Sequence, residues 1–260
     1  MSTEALPAGT ADEGRMTLME HLLELRHRII VCCITVGVAA VAGWFLYPAV
    51  SHFLVHPYNE IATSSITGGN ALIATSPVEG FAVRIKITAY VAIALAMPVI
   101  LWQIWRFVSP GLYKHEKRYA LPFILSAIVL FALGASIAYW TLPKALQWLA
   151  DVGGNNITQA YTADKYYQLI AYMMLAFGVC FEFPILLIFL QMAGIVQNST
   201  LRKYWRHSIV GIAVVVAVAT PSNDPISMLA LSIPLWIFYG VAVLFGALRD
   251  RRRGRATTTT

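Results

Sequence analysis

The stretch HSIVGIAVVVAVAT, residues 207 to 220, decides how many long helices this chain contains. It is mostly apolar over 14 residues, which corresponds to a helix of ~21 Å at a rise of about 1.5 Å per residue. The hydrocarbon core of a bilayer is about 30 Å thick, so a crossing of this length must thin the bilayer, lie among neighbouring helices or extend into the flanking LRKYWR. PSNDP follows at once, and its turn-forming residues predict a tight helical hairpin.

The composition of the chain indicates a membrane protein. The mean hydropathy is +0.65, 58% of the 260 residues are hydrophobic and only 12% are charged, which lies well outside the range of soluble globular proteins. The first fifteen residues, MSTEALPAGTADEGR, have neither the basic region nor the apolar region of a cleaved secretory signal. We therefore expect an integral membrane protein whose first span directs insertion.

Five further apolar segments are long enough to cross the hydrocarbon core, which takes about 20 helical residues. They lie at residues 28–48, 82–105, 120–142, 167–192 and 226–248. With 207–220 as a short fifth span, the sequence predicts an all-α polytopic integral membrane protein with six transmembrane helices. The predicted parts are a flexible cytoplasmic segment (1–15), a single transmembrane domain (16–248) and a basic cytoplasmic tail (249–260).

Lysine and arginine are distributed unevenly over the loops of this six-span arrangement. Of the nineteen such residues, all but Arg84, Lys86, Lys144 and Lys165 fall on one side. Basic residues near span ends mark the cytoplasmic side, so both termini are predicted to be cytoplasmic. The tail sequence RDRRRGR suits an anionic lipid surface, and we interpret it as a membrane anchor rather than as a nucleic-acid-binding segment.

The two long loops on the opposite side, 49–80 and 143–166, differ from simple connectors. They mix short apolar stretches with glycine, asparagine, serine and threonine. We predict that they form structured caps on the extracytoplasmic face.

Glu182 is surrounded by apolar residues in the segment AFGVCFEFPILLIFL. An ionised carboxylate in mid-membrane costs several kcal/mol, so Glu182 is expected to face the bundle interior or a wet cavity, or to be protonated. Pro184 frees a backbone carbonyl in the preceding turn and adds polarity at that depth. A functional site and a neutral acid hydrogen-bonded to a neighbouring helix both remain open, and Gln191 can be a simple interface residue.

Two acids near span ends have structural explanations beside functional ones. Glu24, in MEHLLELRHRII, faces Arg28 at the i, i+4 spacing, and the two can form a surface ion pair on an amphipathic lead-in helix. Asp224 precedes Pro225 in the predicted hairpin, where a turn residue needs no other role.

Glu116 is the one acid in SPGLYKHEKR, residues 109 to 118. A cytoplasmic loop is expected to be basic, which explains Lys114, Lys117 and Arg118 but not the acid. Taken alone, Glu116 can form a solvated ion pair with one of these neighbours.

No pattern typical of catalysis or of cofactor binding occurs in the chain. His52 and His56 lie at i, i+4 spacing without a third metal ligand, and Cys32, Cys33 and Cys180 are interpreted as small apolar packing residues. We expect a protein that is not an enzyme and that has no metal and no cofactor.

Four segments together resemble one family, the TatC subunits of the twin-arginine translocase. HLLELRHR resembles the amino-terminal motif of that family, FVSPGLYKHEKR its first cytoplasmic loop, AFGVCFEFP its fourth span and ATPSNDPIS its hairpin between helices five and six. The resemblance covers about residues 16 to 247, and four motifs in this order are highly specific.

The resemblance implies a receptor for signal peptides that carry an Arg-Arg pair, in the bacterial cytoplasmic membrane. With single-span TatA- and TatB-type partners, and as a homo-oligomer within a larger complex, such a protein exports folded proteins by using the proton motive force.

The resemblance also implies three sets of functional residues. The signal-peptide site consists of Glu24, Arg26, Phe107, Pro110, Leu112, Lys114 and Glu116. Glu182 matches the intramembrane acid of the family, and we group Gln191 with it as a second polar residue for a partner helix. Thr220, Pro221 and Asp224 belong to the partner-docking hairpin, although PSND has one more residue before the acid than the commoner PPD pattern.

A proton-coupled small-solute transporter is the rival interpretation, with Glu182 and Asp224 as titrating groups. A passive membrane scaffold would explain the spans but not the pattern of acids.

Overall fold

The computed structural model describes residues 18–62, 72–108, 120–154, 161–192 and 194–256, and within these ranges the chain folds into seven helices without a strand longer than one bridge. In chain order the helices are α1 (Leu18–Ala62), α2 (Glu79–Val108), α3 (Ala120–Gly153), α4 (Ala163–Met192), α5 (Asn198–Lys203), α6 (Trp205–Ala219) and α7 (Pro225–Ala256). Five of them, α1 to α4 and α7, are long and apolar enough to cross a membrane. The predicted all-α membrane fold is confirmed.

The short apolar segment forms α6 by itself. Helix α5 ends at Lys203, and Tyr204, with φ −101° and ψ 20°, separates it from α6. The segment LRKYWR therefore lengthens the short span only by Trp205 and Arg206. With 15 residues, α6 is about 22 Å long, and it packs against α7 and α4.

Helices α1 and α3 run well beyond the apolar spans that the sequence predicts. Helix α1 has 45 residues and α3 has 34, so both project into the segments expected to be extracytoplasmic caps. Leu54 and Tyr58, four residues apart on this extension of α1, are buried. The helix continues because its apolar face still packs against a neighbour there.

Helix α4 lies at the centre of the bundle and contacts α1, α2, α3, α6 and α7. Its side chains Tyr166, Ile170, Met173, Phe177 and Phe181 are at most 1% exposed. Their spacing of three or four residues places them on one helix face, and this face forms the core of the fold.

The two extracytoplasmic segments are joined by one parallel bridge between Ile73 and Thr162. The Ile73 amide donates to the Tyr161 carbonyl over 3.1 Å, and the Ala163 amide donates to the Ile73 carbonyl over 2.9 Å. The bridge attaches the chain before α2 to the chain before α4, as expected for structured caps.

Glu79, the first residue of α2, strengthens this junction. Its buried carboxylate accepts hydrogen bonds from the backbone amides of Thr75 (2.6 Å) and Asp164 (2.9 Å). The Lys86 ammonium lies 2.6 Å from the Asp164 carboxylate. Polar groups from α2 and α4 therefore fix the extracytoplasmic end of the bundle.

The predicted division of the chain into segment, transmembrane domain and tail stays a prediction. Residues 1–17 and 257–260 lie outside the described ranges. Helix α7 continues through most of the predicted tail to Ala256.

Candidate functional site

Glu24 and Arg28 lie one helical turn apart at the end of α1 that the basic residues mark as cytoplasmic, and they form an ion pair. Arg28 also reaches across to α2. Its Nη1 donates to Oε1 of Gln103 over 3.3 Å, and its Nη2 donates to the Arg106 carbonyl over 3.1 Å. The pair therefore connects the first two helices.

The ion pair is largely shielded from solvent. The Glu24 side chain is 22% exposed and the Arg28 side chain is 11% exposed. Within the described ranges, Glu24 Oε2 and Arg28 Nε are buried and have no hydrogen-bond partner. The carboxylate thus uses one oxygen for Arg28, and its second oxygen has no donor in the described part of the chain.

An aromatic stack lies beside this pair. The rings of His21, on α1, and Phe107, on α2, have centroids 4.5 Å apart and planes inclined by 24°. His21 precedes Glu24 by three residues, so the two side chains share a helix face. Two residues of the predicted signal-peptide site, Glu24 and Phe107, therefore lie at the same contact between α1 and α2, Glu24 linked to it by Arg28 and Phe107 by His21.

Among the other residues of that predicted site, the structure describes only Arg26, and Arg26 is not part of this cluster. Arg26 is exposed and lies roughly 200° around the helix from Glu24, because an α-helix has about 3.6 residues per turn. The remaining predicted members, Pro110, Leu112, Lys114 and Glu116, lie outside the described residues.

The sequence alone predicts that Glu24 and Arg28 can form an ion pair, which was interpreted as a surface pair. The contacts of Arg28 with α2 and the stacking of His21 were not predicted. The i, i+4 spacing was the available signal, whereas the approach of α2 is a tertiary contact that no local pattern contains.

Glu182 is the second candidate residue, and it lies on the buried face of α4. Its side chain is 3% exposed, and among the described residues neither carboxylate oxygen has a hydrogen-bond partner. One of the two alternatives was a neutral acid that is hydrogen-bonded to a neighbouring helix. The described residues contain no such hydrogen bond to Glu182. A buried carboxyl group without a partner is destabilising for the chain that carries it.

Gln191 lies nine residues after Glu182, about 13 Å farther along the helix, and it connects α4 to α7. Its Nε2 donates to the Ala242 carbonyl over 3.1 Å. Arg249 of α7 donates to the carbonyls of Gln191 (2.9 Å) and Met192 (3.2 Å) at the end of α4. The two predicted partner-helix residues thus have separate surroundings.

Asp224 caps α7 in the hairpin between α6 and α7. It is completely buried; Oδ1 accepts the Ser227 amide over 2.7 Å, and Oδ2 accepts the Ser222 hydroxyl. Pro225 occupies the first helical position, where its missing N–H is not needed. The structural explanation of Asp224 as a turn residue therefore accounts for its contacts.

The extra residue of PSND is accommodated by the backbone. Asn223 has a φ of 47°, in the left-handed region that asparagine tolerates well. Thr220 ends α6, and its hydroxyl donates to the Val216 carbonyl over 2.9 Å. Pro221 lines a cavity of about 270 Å³ beside α4.

No group of three His, Cys, Asp or Glu side chains in the described part of the chain is arranged to hold a metal ion.

Comparison with known proteins gives a consistent result. The family model for the Sec-independent protein translocase protein (TatC) matches residues 20–234. The TatC protein of Frankia casuarinae is 37% identical over 257 residues, which cover 96% of this chain and 71% of the relative. The TatC protein of Aquifex aeolicus is 35% identical, with 92% of this chain and 98% of the relative covered.

A solved structure is similar over most of the chain. The crystal structure described as the twin arginine translocase receptor TatC in DDM has a TM-score of 0.74 and 35% sequence identity, and the match covers 87% of this chain and 99% of that one.

Proposed function

The chain belongs to the TatC family of Sec-independent protein translocase proteins, and on that premise we propose that it is the receptor for signal peptides bearing an Arg-Arg pair. As a member of the family it is a multi-pass bacterial membrane protein and a subunit of the twin-arginine translocase, with a role in transport rather than catalysis. In this proposal it acts with single-span TatA- and TatB-type partners, as a homo-oligomer within a larger complex, and the proton motive force drives the export of folded proteins.

The Glu24 carboxylate carries the proposal for signal-peptide binding. It lies at the cytoplasmic end of α1, is partly shielded from water and has one oxygen without a donor among the described residues. A guanidinium presents a planar fork that a carboxylate accepts through two hydrogen bonds, whereas an ammonium is a compact, strongly hydrated point charge. Such a group favours arginine over lysine.

We propose that Glu116 supplies the second carboxylate and that Arg26, Pro110, Leu112 and Lys114 complete the site. Hydrogen bonds to charged groups contribute about 1.5 to 3 kcal/mol each, so one such bond to each of the two carboxylates supplies about 3 to 6 kcal/mol. Micromolar binding requires about 8 kcal/mol. The apolar segment of the signal peptide therefore contributes the remainder by packing along the helices, since burial of about 100 Å² of apolar surface gives about 2.5 kcal/mol.

Crosslinking of signal peptides to the full chain tests this assignment. Peptides with Arg-Arg and Lys-Lys pairs are compared on the wild type and on Glu24→Ala, Glu116→Ala and the double variant. Each single variant is expected to lose part of the preference for Arg-Arg, and the double variant most of it. Full preference in all three variants would show that the carboxylates do not read the arginines.

Glu182 and the hairpin are the proposed contacts for partner helices. The buried carboxyl group of Glu182 has no partner in the described part of this chain, and a polar group of a second protein would supply one. Thr220, Pro221 and Asp224 shape the loop between α6 and α7, next to the short helix α6. Their place at the extracytoplasmic end supports docking of a single-span protein there.

The proton-coupled transporter is less well supported. It requires Asp224 to exchange protons during the transport cycle, yet both oxygens of this buried carboxylate accept hydrogen bonds that cap α7. Solute uptake by vesicles that contain this chain alone would favour the transporter.

A further inference from the structure

Arg28 already occupies the carboxylate that the proposed function assigns to a signal-peptide arginine. We propose that Arg28 is an internal competitor for Glu24, which a guest guanidinium must displace, and that it sets the threshold affinity for any cationic guest. The inference rests on the proposed function, because it assumes that Glu24 contacts the guest.

Arg28 has hydrogen-bond acceptors other than Glu24. It contacts Glu24 within α1, and it donates to the Gln103 side chain and the Arg106 carbonyl of α2. When Glu24 turns toward a guest, the two acceptors on α2 remain. Displacement therefore does not leave a largely buried guanidinium without hydrogen bonds, which would be costly.

A single hydrogen-bonded contact holds the pair of Arg28 and Glu24 among the described residues. A bidentate arginine–carboxylate pair joins two nitrogens to two oxygens and is correspondingly strong. Here one nitrogen joins one oxygen, and Glu24 Oε2 and Arg28 Nε have no partner among the described residues. A guest that offers a full fork can form the second bond that Arg28 does not form.

The geometry also explains why the unloaded site is stable. Without Arg28, a carboxylate that is only 22% exposed would lose the one counter-charge that it has among the described residues. Such a carboxylate would bind any nearby cation. Arg28 neutralises it at rest, so that only guests with additional contacts are retained.

Competition makes a specific prediction about affinity and selectivity. The free energy needed to break the contact between Arg28 and Glu24 is the same for an Arg-Arg and a Lys-Lys guest. Removal of Arg28 should therefore strengthen the binding of both guests by the same factor and leave their ratio unchanged. A part-exposed ion pair of this kind corresponds to a factor of about two to five.

The test uses the full chain in lipid nanodiscs and fluorescent peptides that carry an Arg-Arg or Lys-Lys pair before one apolar segment. Dissociation constants are measured for the wild type, Arg28→Gln, Arg28→Lys and Arg202→Gln. Arg202 is exposed on α5, which packs against α6 and α7, so its variant removes an equal charge from the same face of the membrane. Arg28→Gln is expected to tighten both peptides about twofold to fivefold, Arg28→Lys by less, and Arg202→Gln not at all.

Three results would overturn the inference. Weaker Arg-Arg binding by Arg28→Gln would mean that Arg28 holds Glu24 in position for the guest. Wild-type affinity in Arg28→Lys beside tighter binding by Arg28→Gln would mean simple charge repulsion. Equal tightening by Arg202→Gln would mean a general charge effect. An absence of Arg-Arg preference in the wild type would instead contradict the proposed function itself.

Discussion

Gly134 of α3 lies directly against the backbone of Phe177 of α4. A Cβ atom at position 134 would stand 2.6 Å from the Phe177 carbonyl oxygen and 2.9 Å from its carbonyl carbon. Backbone atoms cannot turn aside as a flexible side chain can, so the absence of a side chain at position 134 permits this approach. The contact sets the distance between the two helices at the centre of the core.

Gly134→Ala is therefore expected to destabilise the protein. The added methyl group must push α3 away from α4, and overpacking of this kind costs about 1 to 3 kcal/mol. Thermal unfolding in detergent should begin at a lower temperature than in the wild type. Gly37→Ala is the matched control, because a Cβ on Gly37 of α1 meets nothing within 4 Å. Equal unfolding temperatures for the two variants would contradict the prediction.

Substitution of Asp224 should separate its structural role from its charge. Asp224→Ala removes the acceptor for the Ser227 amide, and loss of such a cap costs about 0.5 to 2 kcal/mol. Asp224→Asn keeps one oxygen and should unfold close to the wild-type temperature. Export of a twin-arginine precursor is measured beside stability. Normal export by Asp224→Asn is expected if the residue acts as a cap, and loss of export at unchanged stability would show that its charge is needed.

Replacement of Glu182 should affect assembly more than stability. Because neither oxygen has a partner in the described ranges, Glu182→Leu removes a buried unsatisfied group that costs about 1 to 3 kcal/mol. The unfolding temperature should stay level or rise, while crosslinking to single-span partner proteins falls. Glu182→Gln keeps the shape without the acid and tests whether ionisation matters. A less stable Glu182→Leu protein with undiminished partner crosslinking would rule out the proposed contact.

The extracytoplasmic junction should depend on Glu79 far more than on Lys86. Glu79 is buried and accepts hydrogen bonds from two part-buried backbone amides, so Glu79→Ala leaves both amides without this acceptor, at a cost of about 1 to 3 kcal/mol. Lys86 is 39% exposed, and such ion pairs contribute less than about 1 kcal/mol. Hydrogen exchange at the amides of Ile73 and Ala163 measures the difference. Fast exchange in Lys86→Met and slow exchange in Glu79→Ala would reverse this assignment.

Much of the architecture could be predicted from the chain alone. Apolar run length identified five long helices and the short sixth, because the thickness of the hydrocarbon core imposes a minimum length on every span. The lengths of α1 and α3 were underestimated. Beyond the bilayer a helix continues when a neighbour covers its apolar face, as happens at Leu54 and Tyr58, and that neighbour is not visible in local sequence.

The candidate site, too, could be predicted from the sequence only in part. The amino-acid sequence identifies the unusual side chains, because an acid such as Glu182 within an apolar segment is poorly solvated there. Helix periodicity also places Glu24 and Arg28 on one face of α1. The contacts that these side chains make became visible only in the three-dimensional structure. In the folded chain, Gln103 and Arg106 contact Arg28, and the Asp224 carboxylate caps the start of α7. Glu182 has no hydrogen-bond partner among the described residues. Helix length and periodicity follow from local chemistry, whereas a hydrogen bond between helices depends on how residues distant in sequence approach one another.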